Sequence, residues 1–482
     1  MTARRVIVIG GGIAGLAAAH RVVERSRAEG RPASLTLVEA AGRLGGTIHT
    51  ERADGFLIES GPDSFISEKP WALALCERIG LGPRLCRTDD RSRRTYVVRR
   101  GRLHPLPEGF LLLAPARLGP FVTSPLFSWR GKLRMALDLV LPRRTANGDE
   151  SLASFVTRRL GREALEQIAE PLVAGIYTTA PERLSLAATM PRFLALERQH
   201  RSLILGLRKT AGAREVQGAS GARWSLFVTL AGGMGELVEA LAGRLPAGSV
   251  RLGCPVAAIA RGGAGAPWSV RLAGGGTLPA DAVVLAGQAP RMAAPVRALD
   301  AELAGGLERI PYASAATVSL AYPRAAIRHP LDGFGFVVPR AERRAALACT
   351  FSSVKYPGRA PEGFVLVRVF LRTEDAALLD RDDATLAGLA EADLAALLGV
   401  AGRPVLTRVA RHPAAMAQYE VGHLEHVAAL EARLARLPGL VLAGSGYRGV
   451  GISDCVRSGE EAAERALGAR EASTLTASAG RS

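Results

Sequence analysis

Cysteine is scarce in this chain, and the five that occur (Cys76, Cys86, Cys254, Cys349 and Cys455) are odd in number, scattered and without a CxxC pair. That argues against a disulfide framework or a zinc cage, and a reducing cytoplasm is the expected compartment. Lysine is scarcer still. Only Lys69, Lys132, Lys209 and Lys355 occur, so the formal charge of +17 is an arginine charge. The arginines are dispersed singly or in pairs, with no long basic arm and no basic–aromatic alternation, so no nucleic-acid partner is expected. A solvated surface, or a basic rim attracting an anionic ligand, accounts for them. The eight histidines show no metal spacing, so no metal is expected, and none stands beside a Ser or Cys in a nucleophile motif. Long apolar runs are missing too. The nearest approach, residues 109–129, is broken by Pro115, Arg117, Pro120 and Pro125, and no transmembrane helix is expected.

Glycine is abundant, at 54 residues, and 48% of the chain is apolar, a balance that suits an α/β protein with many tight turns. A length of 482 residues implies two or three domains. Basic residues 1–5 followed by apolar residues 6–19 imitate a secretory leader. Gly10, Gly11 and Gly12 break that run, however, so none is expected. Arg5 to Ile9 reads as a buried strand and Ala14 to Glu29 as a helix, with Gly10-x-Gly12-x-x-Gly15 between them. That spacing allows a tight turn, a close approach of backbone to a pyrophosphate, and close helix–strand packing. The helix N-terminus, with Ile13 and Ala14 in its first turn, would then face the phosphates. A second strand, Leu35 to Val38, ends at Glu39, where an adenosine ribose needs an acceptor and a 2′-phosphate would be repelled.

The run Glu39-Ala40-Ala-Gly-Arg43-Leu-Gly45-Gly46-Thr47 resembles the amine oxidase and porphyrinogen oxidase group of flavoproteins, as does Gly55-Phe56…Glu59-Ser-Gly61-Pro62. The resemblance implies bound FAD. Arg43, Gly45 and Gly46 would carry the chain past the pyrophosphate, and Gly61, Pro62, Asp63 and Ser64 would lie beside the isoalloxazine ring. Val256 would pack on adenine, while Gly444, Gly451, Ile452 and Ser453 would complete the site from the far end of the chain.

Residues 66–94 read as helical and charged, followed by strands at Tyr96 to Val98 and Arg102 to Leu106. Residues 107–222 read as an inserted, arginine-rich helical domain. A helix at Glu236 to Arg244, a strand at Val250 to Ile259, a Gly274-Gly-Gly276 turn and a helix from Ser458 to about Ala469 follow. The expected fold is α/β: a discontinuous Rossmann-like FAD-binding domain (residues 1–95, 223–298 and 431–470), a mixed-sheet substrate domain (96–106 and 299–430), the helical insert, and a disordered tail at 471–482.

Motifs outside the nucleotide site narrow the resemblance to protoporphyrinogen or coproporphyrinogen III oxidases of haem synthesis. They include Gly61-Pro62-Asp63-Ser64-Phe65, Pro171-Leu-Val-Ala-Gly175-Ile-Tyr177, Gly333-Phe-Gly-Phe336-Val-Val-Pro339, Gln418-Tyr419 and Gly449-Val-Gly451-Ile-Ser-Asp454-Cys455. The chain departs from that pattern at Arg372-Thr373, His412 and Ala417, all on the substrate side. The resemblance implies a hydride passed from a porphyrinogen to FAD, with dioxygen reoxidising the flavin to give peroxide, and no catalytic acid or base from the protein. Val337, Thr350 and Phe370 would line the slot, Gly175 would present backbone to a pyrrole N–H, and Arg94 would grip a propionate. The rivals are a flavin amine oxidase or carotenoid desaturase of the same fold, and a non-catalytic basic FAD-binding protein. None of the four lysines stands in the context of the amine oxidase lysine near flavin N5. A peripheral contact with the inner face of the cell membrane through residues 107–140 is a further expectation, from an apolar stretch flanked by Arg130, Lys132 and Arg134.

Overall fold

The computed structural model describes residues 3–30, 32–89, 94–111, 113–115, 117–146, 148–177, 180–209, 226–263, 266–373 and 376–468. The expected tail at 471–482 and residues 91–93 of the basic run lie outside the described residues.

The apolar run Arg4–Ile9 forms the centre of a five-stranded, wholly parallel sheet in the order Val250–Arg251, Ala33–Val38, Arg4–Ile9, Ala282–Leu285, Leu440–Leu442. Three distant parts of the chain therefore build one sheet. A buried strand must be covered on both faces, which explains why these strands read as near-continuous apolar runs. One face packs under the helix Ile13–Glu29 and the closing helix Ile452–Leu467, with Val6, Val8, Leu16 and Val456 fully buried. The other packs under the antiparallel strands Val256–Arg261, Trp268–Leu272 and Thr277–Ala280 and the helices Ala289–Val296 and Ala301–Glu308. The closing helix begins at Ile452, not near Ser458. Gly459 lies inside it because a Cβ there would overlap the carbonyl oxygen of Ala14, so a helix-weakening residue marks a close helix–helix approach.

Two other expectations need correction. Residues 66–94 are not one helix: Pro70–Arg78 is helical, but Gly80 takes φ +76° and Pro83 follows, and Leu85–Arg87 is a strand paired with Phe227–Leu230. The strand expected at Val250 to Ile259 is two strands in two sheets, divided where Gly253 takes φ +62° before Pro255.

A second, seven-stranded sheet runs Leu406–Ala417, Tyr312–Pro323, Phe364–Leu371, Ala346–Thr350, Gly333–Val337, Arg94–Arg99, Arg102–Pro105. Only the Gly333–Val337/Arg94–Arg99 pair is parallel. Its two faces differ in what covers them. Tyr96, Val98, Phe336, Val338 and Val369 pack under the helix Asp383–Leu398. Val97, Val337, Ala348 and Phe370 turn to the opposite side, against the short helices of residues 118–207. That helical unit is anchored by Arg159 and Asp138, both fully buried. Arg159 Nε donates to Asp138 Oδ1 at 2.7 Å, and Asp138 Oδ2 accepts from the Ser202 hydroxyl at 2.6 Å and the Ile204 amide at 3.0 Å. A buried pair so fully hydrogen-bonded is costly to break, about 3–5 kcal/mol when one partner is removed.

Candidate functional site

Gly10 leaves the first strand at φ +108°, and a Cβ on it would lie 2.9 Å from the backbone carbon of Ala286. A Cβ on Gly15 would overlap the Gly10 carbonyl oxygen, so these two glycines are fixed by close backbone packing. Gly12 differs. It heads the helix Ile13–Glu29 with no side-chain cap, and a Cβ there would meet nothing within 4 Å. The space beside Gly12 is thus open, at the positive end of a helix whose first-turn N–H groups, at Ile13 and Ala14, have no partner within the helix.

The remaining expected cofactor residues collect around this end. Gly45 N donates to Gly11 O at 2.8 Å, and Gly46 stands against Gly12. Arg43 fixes that crossing by donating to the carbonyls of Leu44, Gly46 and Ile48 at 3.0, 2.6 and 3.1 Å. Glu39 Oε2 accepts from Gly11 N at 2.5 Å and Oε1 from Ala41 N at 2.7 Å, which aims the carboxylate and leaves lone pairs for two hydroxyls. Residues 251–254 bracket Glu39 and Ala41 through backbone bonds, which brings Val256 towards Glu39 and Ala40. On the other side, Gly444 lies beside Ala14, and the second uncapped helix starts at Gly451 with Ile452 and Ser453 in its first turn. Open glycine backbone, two helix N-termini and an aimed carboxylate fit an adenine dinucleotide.

The loop after the strand Phe56–Glu59 is held from the seven-stranded sheet. Arg368 Nη1 donates to the carbonyls of Glu59 at 3.0 Å and Gly61 at 2.5 Å, while its Nη2 lies 3.2 Å from Asp63 Oδ2. Lys355 Nζ reaches Asp63 Oδ1 at 3.3 Å, and the Ser64 hydroxyl donates to the same oxygen at 2.7 Å. Thr317 Oγ1 and His412 Nε2 bond the Ser60 carbonyl at 3.3 and 2.8 Å, and because a carbonyl only accepts, Nε2 carries the proton. Burial alone would raise the Asp63 pKa, but Lys355, Arg368 and the Ser64 hydroxyl outweigh it and hold the carboxyl below the usual carboxylate range. Burial lowers the Lys355 ammonium, against the opposing pull of Asp63, and raises the Glu59 carboxyl. Burial also lowers His412, which leaves a neutral imidazole near pH 7.

Of the five expected substrate residues, four come together. Val337, Phe370 and Ala348 share one apolar cluster, and a Cβ on Gly175, in the helix Glu170–Tyr177, would lie 4.0 Å from the Ala348 Cβ. Thr350 has the parity of Ala348 and pairs with Gly335 and Arg368. The fifth needs correction. Along the strand Arg94–Arg99, Arg94 shares the parity of Tyr96 and Val98, which pack on the opposite face from Val97. Its guanidinium pairs with Asp332, whose other oxygen takes the Tyr96 hydroxyl at 2.6 Å. The side chain expected to grip a propionate is turned away from the slot.

Sequence reasoning gave no site role to Lys355, Arg359, Arg368 or Glu59, although Glu59 stood within the motif that ends at Pro62. One signal was available: Arg368 is the only charged residue of the apolar strand Phe364–Leu371, and a charge in a buried strand needs a partner. Gln418 was noticed only as part of a motif. It is buried, with Nε2 donating to Tyr177 O at 2.8 Å and Met416 O at 3.0 Å, which fixes the orientation of its amide.

The description of a flavin-containing amine oxidoreductase family matches residues 13–467. The chain is 36% identical to a coproporphyrinogen III oxidase of Bacillus subtilis (strain 168), over 96% of this chain and 98% of that one. It is 34% identical to a protoporphyrinogen oxidase of Bos taurus, again over 96% and 98%. A crystal structure from Exiguobacterium sp. 255-15, provisionally assigned as a protoporphyrinogen oxidase, superposes with a TM-score of 0.83 at 31% identity, covering 96% and 98% of the two chains.

The depressed Asp63 pKa has a pH signature. A carboxyl lowered on folding adds stability that is fully present above its unfolded pKa of about 3.9 and is lost as pH falls below it. Asp63→Asn should lower stability at pH 7 by roughly 3 kcal/mol, as expected for a broken buried pair. The gap to wild type in thermal midpoint should narrow below about pH 4. A constant gap down to pH 3 would mean that Asp63 is not held ionised.

Proposed function

The chain belongs to the family of flavin-containing amine oxidoreductases, and from that premise we propose that it oxidises a porphyrinogen of haem biosynthesis, coproporphyrinogen III or protoporphyrinogen IX, to the porphyrin. The observation that carries this reading is the end-to-end similarity to a coproporphyrinogen III oxidase, 36% identity over 96% of the chain. The apolar side chains Val337, Ala348 and Phe370, on the sheet face that also carries Arg368, support it, because a large apolar macrocycle needs a mostly apolar wall with few polar points.

When bound, FAD supplies a two-electron acceptor for hydride and passes the electrons to dioxygen as peroxide; three rounds remove the six electrons that separate porphyrinogen from porphyrin. The chain's own part is to bind, orient and exclude water. Val337, Ala348 and Phe370 form the apolar wall, Thr350 gives it a hydroxyl, and the helix carrying Gly175 covers it with backbone unobstructed by a side chain. Arg368 couples that wall to the flavin-side loop, since it shares a sheet face with Phe370 while holding Gly61 and Asp63. No proton-transferring side chain is assigned. His412, the imidazole at the loop, is committed to the Ser60 carbonyl.

The protein would act in the cytoplasm and rest on the inner face of the membrane. Among the described residues no helix is long and apolar enough to cross a membrane. Trp129, Leu133, Leu137 and Val140 nevertheless follow helical spacing and are 67%, 68%, 47% and 66% exposed, with Leu118 and Val122 exposed nearby. Of the expected flanking cations Arg130 is exposed, while Lys132 is buried and donates to the Val122 carbonyl at 2.6 Å. With Arg143 also exposed, the patch combines apolar side chains with positive charge, the pairing that suits an anionic lipid surface.

Two experiments test this proposal. Supplied separately in air, coproporphyrinogen III and protoporphyrinogen IX should give porphyrin fluorescence and peroxide well above autoxidation for at least one, and the ratio of rates identifies the substrate; background rates for both would reject it. The protein should co-sediment with anionic liposomes at low salt, and Trp129→Ser/Leu133→Ser should abolish this without loss of turnover. Equal sedimentation of the variant would remove the membrane contact.

A further inference from the structure

Behind the flavin-side loop lies a buried ionic cluster that binding FAD and lining the slot do not by themselves require. Its cations are Lys355, Arg359 and Arg368, and its acids are Glu59 and Asp63, joined by contacts of 3.3 Å (Lys355–Asp63), 3.7 Å (Arg359–Glu59) and 3.2 Å (Arg368–Asp63). None of the five side chains is more than 14% exposed. Four of them, Glu59, Asp63, Arg359 and Arg368, line a small cavity together with Tyr356 and Ser319, and Lys355 joins the set through Asp63. Three cations against two acids leave an excess of one positive charge while Lys355 is protonated; burial lowers the Lys355 pKa against the pull of Asp63, and raises that of Glu59. His412 adds none, being held neutral. A buried ion pair alone is weak evidence for stability, because desolvation cancels much of the attraction. An unbalanced set is costlier still unless a negative charge comes to meet it.

We propose that Lys355 is a positioning residue: with Arg368 it clamps Asp63, and the positive charge left behind the loop Gly61–Ser64 raises the reduction potential of the flavin that the loop holds. Two electrons arriving on the flavin are a negative charge arriving beside that excess, so the reduced form gains more from it than the oxidised form. The low dielectric of a water-excluded cluster carries the effect across the loop. Lys355 sends its side-chain hydrogen bonds to Asp63 and Ser64. It acts through Asp63, Ser64 and the loop, and its ammonium is stacked over the Phe227 and Tyr356 rings at 5.0 Å each, which fixes its place. The inference rests on the flavin reading above.

The test compares FAD-loaded wild type with Lys355→Met, Lys355→Arg and Asp63→Asn, reading bound FAD, the visible flavin spectrum and the two-electron reduction potential against dyes of known potential. Lys355→Met should retain FAD, because the glycine loop and Glu39 are untouched, and its potential should move negative. Lys355→Arg should return most of the way to wild type. Asp63→Asn, which removes an acid instead of a cation, should move the potential positive. A purely structural role would leave the potential unchanged or move both variants in one direction, and either result overturns the proposal. If Lys355→Met does not accumulate folded, the sign found for Asp63→Asn decides. Wild type that binds no FAD would reject the flavin reading itself, a failure distinct from an unshifted potential.

Discussion

One guanidinium joins the two halves of this molecule at the point where they must meet. Arg368 rises from an otherwise apolar strand of the seven-stranded sheet and donates to carbonyls on the loop that leaves the parallel-sheet domain, at Glu59 and Gly61, while facing Asp63. A fork of fixed donors suits this task better than an ammonium would, because several acceptors are held in one geometry. The slot wall and the loop are thereby set at a fixed separation. Hydride transfer needs the reacting atoms in near contact, and a misplacement of about 1 Å can cost two orders of magnitude in rate.

The site holds little chemistry of its own. Its polar groups bind backbone carbonyls or each other, and its one imbalance is electrostatic. That division fits a flavin enzyme, in which the cofactor supplies the electron acceptor and the protein supplies position, dryness and field. The helical unit packs on the sheet face of Val337, Ala348 and Phe370. It closes the apolar wall with Gly175 and its neighbours, is pinned by the buried Arg159–Asp138 pair, and turns an exposed apolar face outward at Trp129 and Leu133.

The nucleotide end was legible from sequence because its chemistry is local: a strand, a glycine turn and a helix within thirty residues, then an acid at the end of the next strand. Even the return of the chain at Gly444 and Gly451 left a motif. The flavin-side cluster was illegible because its members come from residues 59–63, 355–359 and 368, and nothing in the chain announces that they meet. Arg94 failed for a different reason. The period of two in a strand puts alternate residues on opposite faces, and Arg94 falls with Tyr96 instead of Val97. The closing helix starts at Ile452, ahead of the expected Ser458, and Gly459 lies inside it because the backbone of the neighbouring helix leaves no room for a Cβ.

The central claim, that electrons leave a porphyrinogen through a flavin held by this chain, is tested most directly without oxygen. FAD-loaded protein would be mixed anaerobically with coproporphyrinogen III, and separately with protoporphyrinogen IX, while the visible flavin band is followed. The account predicts that the band bleaches with at least one of them and returns when air is admitted, with porphyrin accumulating. A flavin that stays oxidised with both, in protein that chemical reductants bleach normally, would contradict it.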